Sequence, residues 1–145
     1  MNQIISRQEE IISEFQILGG DLEMTLHYLM ELGEKLPPMN DSDKTEENIV
    51  KGCQSKVWLK AEFNDGKIHF SGDSNTAITK GLVSLLIRVF DRQSPQSVLE
   101  SELSFPSKIG MDRFIGTQRS NGFSAMVQQF KRYAVAFRAL QEQSH

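Results

Sequence analysis

An α+β fold, with a small antiparallel sheet packed against several helices, is the class these 145 residues predict. Three observations carry that prediction. Apolar residues recur at helical spacing before Pro37-Pro38, one stretch alternates strictly around Asn64-Asp65-Gly66, and helical stripes return from Thr76 to the C-terminal end. Hydrophobic residues make up 39% and charged residues 24% of the chain, an ordinary globular balance. A chain of roughly 150 residues buries about 68 to 70% of its unfolded surface in one core, so residues 1–145 are read as one domain.

The first segment sets Ile4, Ile5, Ile11, Ile12, Phe15 and Leu18 on one side of a 3.6-residue repeat and then meets Gly19-Gly20, which ends a helix. A second stripe, Leu22, Leu26, Leu29, Met30, Gly33 and Leu36, follows Asp21 as a cap and stops at Pro37-Pro38, where a helical N–H is lost. The two helices are expected to form a hairpin. From Pro37 to Gly52 the chain is polar and irregular, which predicts a surface loop leading to Cys53.

Val57, Leu59, Ala61 and Phe63 then alternate with polar residues, Asp65-Gly66 supplies a two-residue turn, and Ile68 and Phe70 resume the apolar positions. That turn sets Phe63 opposite Ile68 and Ala61 opposite Phe70, so both strands show their apolar residues on one face. Trp58 falls on the other face, which predicts partial cover there too. Gly72-Asp73-Ser74-Asn75 leads to a helix from Thr76 to Phe90 that is apolar nearly all round, hence central and buried. Asp91 to Ser94 breaks it, Ser94-Pro95 caps and starts a short helix, and Ser107 to Phe114 forms another. The last helix is marked by Phe123, Met126, Val127, Phe130, Tyr133, Ala134 and Phe137, preceded by Ser120-Asn121-Gly122.

A formal net charge of −3 without a Lys/Arg block argues against nucleic acid as a partner. No membrane-spanning run occurs, and Arg7, Glu9, Glu10 and Glu14 interrupt the apolar N-terminal stretch that a signal peptide needs. A single cysteine permits no intrachain disulfide and suits a reducing compartment, so a cytoplasmic protein is expected.

That cysteine, Cys53, stands in Gly52-Cys53-Gln54-Ser55-Lys56, between an acidic loop and a strand. A lone cysteine is ordinarily a small buried hydrophobe. Against that reading, Gly52 offers backbone freedom beside the thiol, and Lys51 and Lys56 offer positive charge that favours the thiolate. A thiol hydrolase needs a histidine base, and His27, His69 and His145 are placed as surface or core residues. No second cysteine and no histidine pair at helical spacing is available for a metal, so no metal site is expected. Arg119, just ahead of the last helix, reads either as a solvated loop charge or as a fork of donors for a carboxylate or an anionic sulfur.

Gly52-Cys53-Gln54-Ser55-Lys56-Val57-Trp58 closely resembles the signature of the SufE-type sulfur acceptors, also called cysteine desulfuration proteins. Three further blocks match in the same order: Leu32-Gly33-Glu34-Lys35-Leu36-Pro37, Gly72-Asp73-Ser74-Asn75 leading to Lys80-Gly81-Leu82, and Arg119-Ser120-Asn121-Gly122 with Ala125-Met126. The resemblance implies a SufE/IscU-like scaffold. It also implies that Cys53 accepts sulfane sulfur from a SufS-type cysteine desulfurase, stimulates that enzyme, and passes the sulfur to a SufB-containing (SufBCD-type) complex for iron-sulfur cluster assembly. Pyridoxal phosphate then belongs to the partner, and this chain needs no cofactor. Gly52, Gln54, Ser55, Lys56 and Arg119 would form the hinge and thiolate environment, and Asp73, Ser74 and Asn75 the candidate partner contacts. The sequence departs from the pattern at Asn75, often Asp, at Leu22, near a position commonly aromatic, and at Ile115 to Arg119, which lacks Pro-Ser before the arginine. The alternatives are a desulfurase of the related Csd pathway as donor, or a non-catalytic interaction domain whose cysteine is incidental.

Overall fold

A computed structural model describes residues 2–143. Helix α1 (Gln3–Ile17) starts where the Asn2 side chain accepts from the Ile4 N–H at 2.9 Å, and the chain leaves it through Gly19 and Gly20, both at positive φ. Helix α2 (Leu22–Glu34) is capped by Asp21, which accepts from the Met24 N–H, and ends ahead of Pro37-Pro38. Strands β1 (Val57–Asn64) and β2 (Lys67–Ser74) pair antiparallel, with Phe63 opposite Ile68 and Ala61 opposite Phe70, as the alternation predicts. Asp65 and Gly66 sit at φ 54° and 76°, the left-handed pair a two-residue hairpin turn requires. Helices α3 (Ala77–Phe90), α4 (Pro95–Glu100), α5 (Phe105–Lys108) and α6 (Met111–Gln143) complete the described residues, which makes the class α+β.

The core gathers around α3. Leu82, Leu85, Leu86, Val89 and Phe90 are buried on several sides of that helix, as its near-continuous apolar pattern predicts. The hairpin, α1, α2 and α6 all pack on it. On α6 the stripe Phe123, Met126, Phe130 and Ala134 is buried, and the Phe130 ring lies 4.6 Å from Phe70 and 5.2 Å from Phe90, centroid to centroid. Each of the large side chains among these contributes about 1.5 to 3 kcal/mol, so this stripe joins the C-terminal helix to both the sheet and the central helix.

Five expectations need correction. The first two helices touch at Phe15 and Tyr28, but α2 packs chiefly on α3. The cause is a pair of glycines: a Cβ on Gly33 would stand 2.8 Å from the Gly81 N, and one on Gly81 would stand 2.2 Å from the Leu29 O, so the two backbones approach directly. The stretch from Pro37 to Gly52 is not wholly a surface loop. It carries short 3₁₀ turns at Asp41–Asp43 and Glu46–Asn48, buries Met39 and Val50, and bridges to the hairpin between Ile49 and Trp58. This segment also supplies the cover over Trp58, with the Lys44 ammonium 5.6 Å from its ring centroid.

Gly72, Asp73 and Ser74 belong to β2, opposite Leu59, Trp58 and Val57, and do not form a lead-in to α3. Gly72 is small because α3 crosses there: a Cβ would meet the Val83 Cγ1 at 2.9 Å. The helix expected from Ser107 to Phe114 is interrupted at Gly110, φ 68°, which divides α5 from α6. Finally, α6 begins well before Ser120-Asn121-Gly122. It is broken at Gly116 (φ 80°, ψ 171°), and the residues after that break are already helical.

Candidate functional site

Cys53 sits in the short arc between Val50 and Lys56, and both ends of the arc are tied to the hairpin. The Val50 N–H donates to Val57 O at 2.8 Å. At the other end the Lys56 N–H donates to Asn75 Oδ1 at 3.0 Å, while Lys56 O accepts from Ser74 Oγ at 2.9 Å and from the Asn75 N–H at 3.2 Å. Gly52, at φ 98°, supplies the sharp turn before the cysteine.

The Cys53 side chain turns inward and is half-buried. Its Sγ lies 3.4 Å from Gly122 O on α6, and a Cβ on Gly122 would also stand 3.4 Å from that sulfur, so a glycine lets the helix pass close beside the thiol. The sulfur borders a cavity of about 380 Å³. Gln54, Ser55 and Arg119 share its wall with Leu82, Ile115 and Met126, a mixture of polar and apolar side chains.

Burial pushes the Cys53 thiol above its ordinary value. This corrects the expectation that Lys51 and Lys56 favour the thiolate: both are exposed, and burial alone drives the shift. Burial therefore favours the neutral thiol over the thiolate at this site. Arg119 reaches the cavity because α6 breaks at Gly116. Just before the break the Ile115 carbonyl accepts from Arg119 Nη1 at 3.3 Å, which holds one end of the guanidinium beside the cavity. Arg119 is thus an exposed residue of a helix and not of a loop.

The family model described as "SufE: Fe-S metabolism associated domain" matches residues 9–134. This chain belongs to the SufE family. A solution structure of a hypothetical protein from Thermus thermophilus superposes with a TM-score of 0.73 at 22% identity, covering 90% of this chain and 94% of that one, a likeness of fold. The SufE-family assignment associates the domain with iron-sulfur metabolism.

Within this SufE-family chain the structure separates the candidate residues into two sets. Cys53, Gln54, Ser55 and Arg119 meet at the cavity, whereas Gly52 and Lys56 flank it from the loop ends. Of the three residues expected as partner contacts, Asp73 and Ser74 are buried and Asn75 is exposed. Asp73 receives Lys44 Nζ at 3.0 Å, Lys80 Nζ at 3.4 Å and the Ser74 N–H at 2.8 Å. Burial alone would raise its carboxyl, but these partners outweigh that and hold it below the usual carboxylate range. Its work is to tie the loop before Cys53 to β2 and α3.

His27 is an exposed partner of Glu31 at 3.3 Å, His69 lies opposite Glu62 on the hairpin, and neither borders the cavity. His145 lies outside the described residues. No helix among the described residues is long and apolar enough to cross a membrane. Sequence reasoning did not single out Thr79 or Gly122 as parts of the site. The available signals were a polar residue on an otherwise apolar helix face and a glycine inside a helix whose neighbours are large.

Proposed function

We propose that this SufE-family chain is a cytoplasmic sulfur acceptor and carrier, holding sulfur as a persulfide on Cys53 between a SufS-type cysteine desulfurase and a SufB-containing scaffold complex. The single observation that supports it most is the placement of the thiol: half-buried, on an arc that turns at Gly52, beside a cavity far larger than one sulfur atom.

The transfer step needs no outside oxidant. The Cys53 thiolate attacks the terminal sulfur of the partner's cysteine persulfide, the partner's sulfur–sulfur bond breaks, and the partner's cysteine leaves as a thiolate. Sulfane sulfur passes over at unchanged oxidation state, and the proton lost from Cys53 balances the one the leaving thiolate can take up. Since burial disfavours the Cys53 thiolate, attack is favoured when the arc turns outward, where water and the partner's site ease ionisation. Removing the persulfide of the desulfurase is also how the acceptor stimulates that enzyme. Once the arc returns, the cavity walls shield the new persulfide from free thiols, and Arg119 supplies donors to the sulfur anion.

Intact-mass measurement after incubation with a SufS-type desulfurase, its pyridoxal phosphate and free cysteine tests the reading. One added sulfur atom on the chain, absent in Cys53→Ser, is the expected result. If Cys53→Ser stimulates the desulfurase as well as the parent does and no sulfur is gained, the chain is an interaction domain with an incidental cysteine. Running a Csd-type desulfurase beside the SufS type identifies the donor.

A further inference from the structure

We propose that Thr76 and Thr79 form a latch with Ser55 that holds the Cys53 arc inward and sets how often the sulfur is presented. Thr76 occupies the N-cap of α3, where a threonine hydroxyl ordinarily accepts from its own helix's N–H groups. Here the side chain makes no capping bond. Its Oγ1 lies 2.8 Å from Ser55 Oγ, across from the cysteine arc. Thr79, one turn further along, is buried among apolar neighbours on α3 and brings its Oγ1 to 3.4 Å from the same Ser55 hydroxyl. Two threonines of one helix therefore converge on a single side chain of the arc.

The rest of the arc is held by little else. Its ends are anchored at Val50 and Lys56, but between them the side-chain hydrogen bonds to the body of the protein, among the described residues, are those of Ser55 and the Cys53 Sγ–Gly122 O contact. A thiol is a weak donor. Formation of a persulfide replaces the hydrogen on Sγ with a second sulfur, so the donor in the Gly122 contact disappears. Of the side-chain hydrogen bonds that hold the resting arc, the two to Ser55 are then the ones that persist in the loaded state. Thr76 and Thr79 are positioning residues, and their purpose rests on the carrier reading of Cys53, although the latch itself can be measured without any partner.

The experiment is the rate of Cys53 alkylation by iodoacetamide in the full native chain at one pH, normalised to the rate in denaturant. Thr76→Val suits the extended backbone of that position (φ −127°, ψ 144°) and removes no cap. Losing one hydroxyl contact should raise the rate roughly three- to tenfold, and Thr76→Val with Thr79→Val should raise it further. Thr76→Ser should restore the parent rate, and thermal midpoints should move little. Equal rates in parent and Thr76→Val, a fast Thr76→Ser, or a rise that merely follows a lowered midpoint would each overturn the latch. Failure of the carrier reading shows elsewhere, as no sulfur gained on Cys53 with a desulfurase present, whatever the alkylation rates.

Discussion

The chemistry of Cys53 turns on a conflict between shelter and ionisation. A half-buried sulfur beside Leu82 and Met126 is protected, but the same surroundings disfavour its charge. Alkylation of the free protein should therefore have a pH midpoint above that of a small thiol, and addition of a desulfurase should lower the midpoint as the arc turns out. A midpoint at or below the free-thiol value would show that the arc is already open. The same shift links to folding. The folded-state thiol pKa is raised above the unfolded one, so the stabilisation is whole below the unfolded value and is lost as pH rises through the folded value. Arg119 is exposed and, among the described residues, tied only at Ile115 O, so Arg119→Ala should leave stability within about 0.5 kcal/mol. It should slow sulfur acceptance roughly three- to tenfold, an effect expected of a charge-assisted contact in a partly solvated site. Unchanged acceptance kinetics would remove Arg119 from the site.

At the level of elements, the contact of α2 with α3 is the one that most narrowly constrains the sequence. Gly81 leaves no room for a methyl group against the Leu29 carbonyl, and Gly33 leaves none against the backbone of Gly81. Alanine at a helix interior is ordinarily worth about 0.5 to 1 kcal/mol over glycine. At Gly81 the steric conflict should reverse the sign, and Gly81→Ala should destabilise by about 1 to 3 kcal/mol or more. Denaturant unfolding measures this directly, and a stabilised variant would refute the close approach. Since α3 also bears Thr76, Thr79 and Leu82, a displaced α3 should disturb the Cys53 cavity as well as the fold.

For the whole molecule, two carboxylates bind distant segments together. Glu14 on α1 accepts from Arg88 on α3 through both of its oxygens and from Tyr28 on α2 at 2.5 Å, while Asp73 joins Lys44 and Lys80. The Arg88 hydrogen bonds hold the Glu14 carboxyl below its ordinary value, and the Asp73 carboxyl is lowered too. Tyr28, pushed up to about 12 by burial and by Glu14, stays a donor throughout this range. Folded-state carboxyls titrating below their unfolded range give stability that is present above about pH 4 and is lost as pH falls through the lower, folded values. Unfolding free energies measured from pH 7 to pH 3 should therefore fall, by on the order of 1 kcal/mol for each site. A variant with Glu14→Gln and Asp73→Asn should be less stable at neutral pH and show a flatter acid limb. An acid limb as steep as the parent's would place the acid sensitivity elsewhere.

What the sequence by itself determined is whatever depends on neighbours along the chain. The hairpin register follows from a period of two around Asp65-Gly66, because slipping by one residue would turn Leu59, Ile68 and Phe70 to the outer face. The burial of α3 and of one face of α6 follows from helical spacing, and the lone thiol on a loop beside Gly52 is visible from Gly52-Cys53-Gln54-Ser55-Lys56. Only the tertiary structure decided the surroundings of that thiol. Gly122 is 69 residues from Cys53, Arg119 reaches the cavity through a helix break at Gly116, and Asp73 is drawn inward by lysines from two other segments. Periodicity and turn chemistry act over a few residues. Desolvation, which raises the thiol pKa where nearby lysines would lower it, is a sum over atoms that only folding brings together.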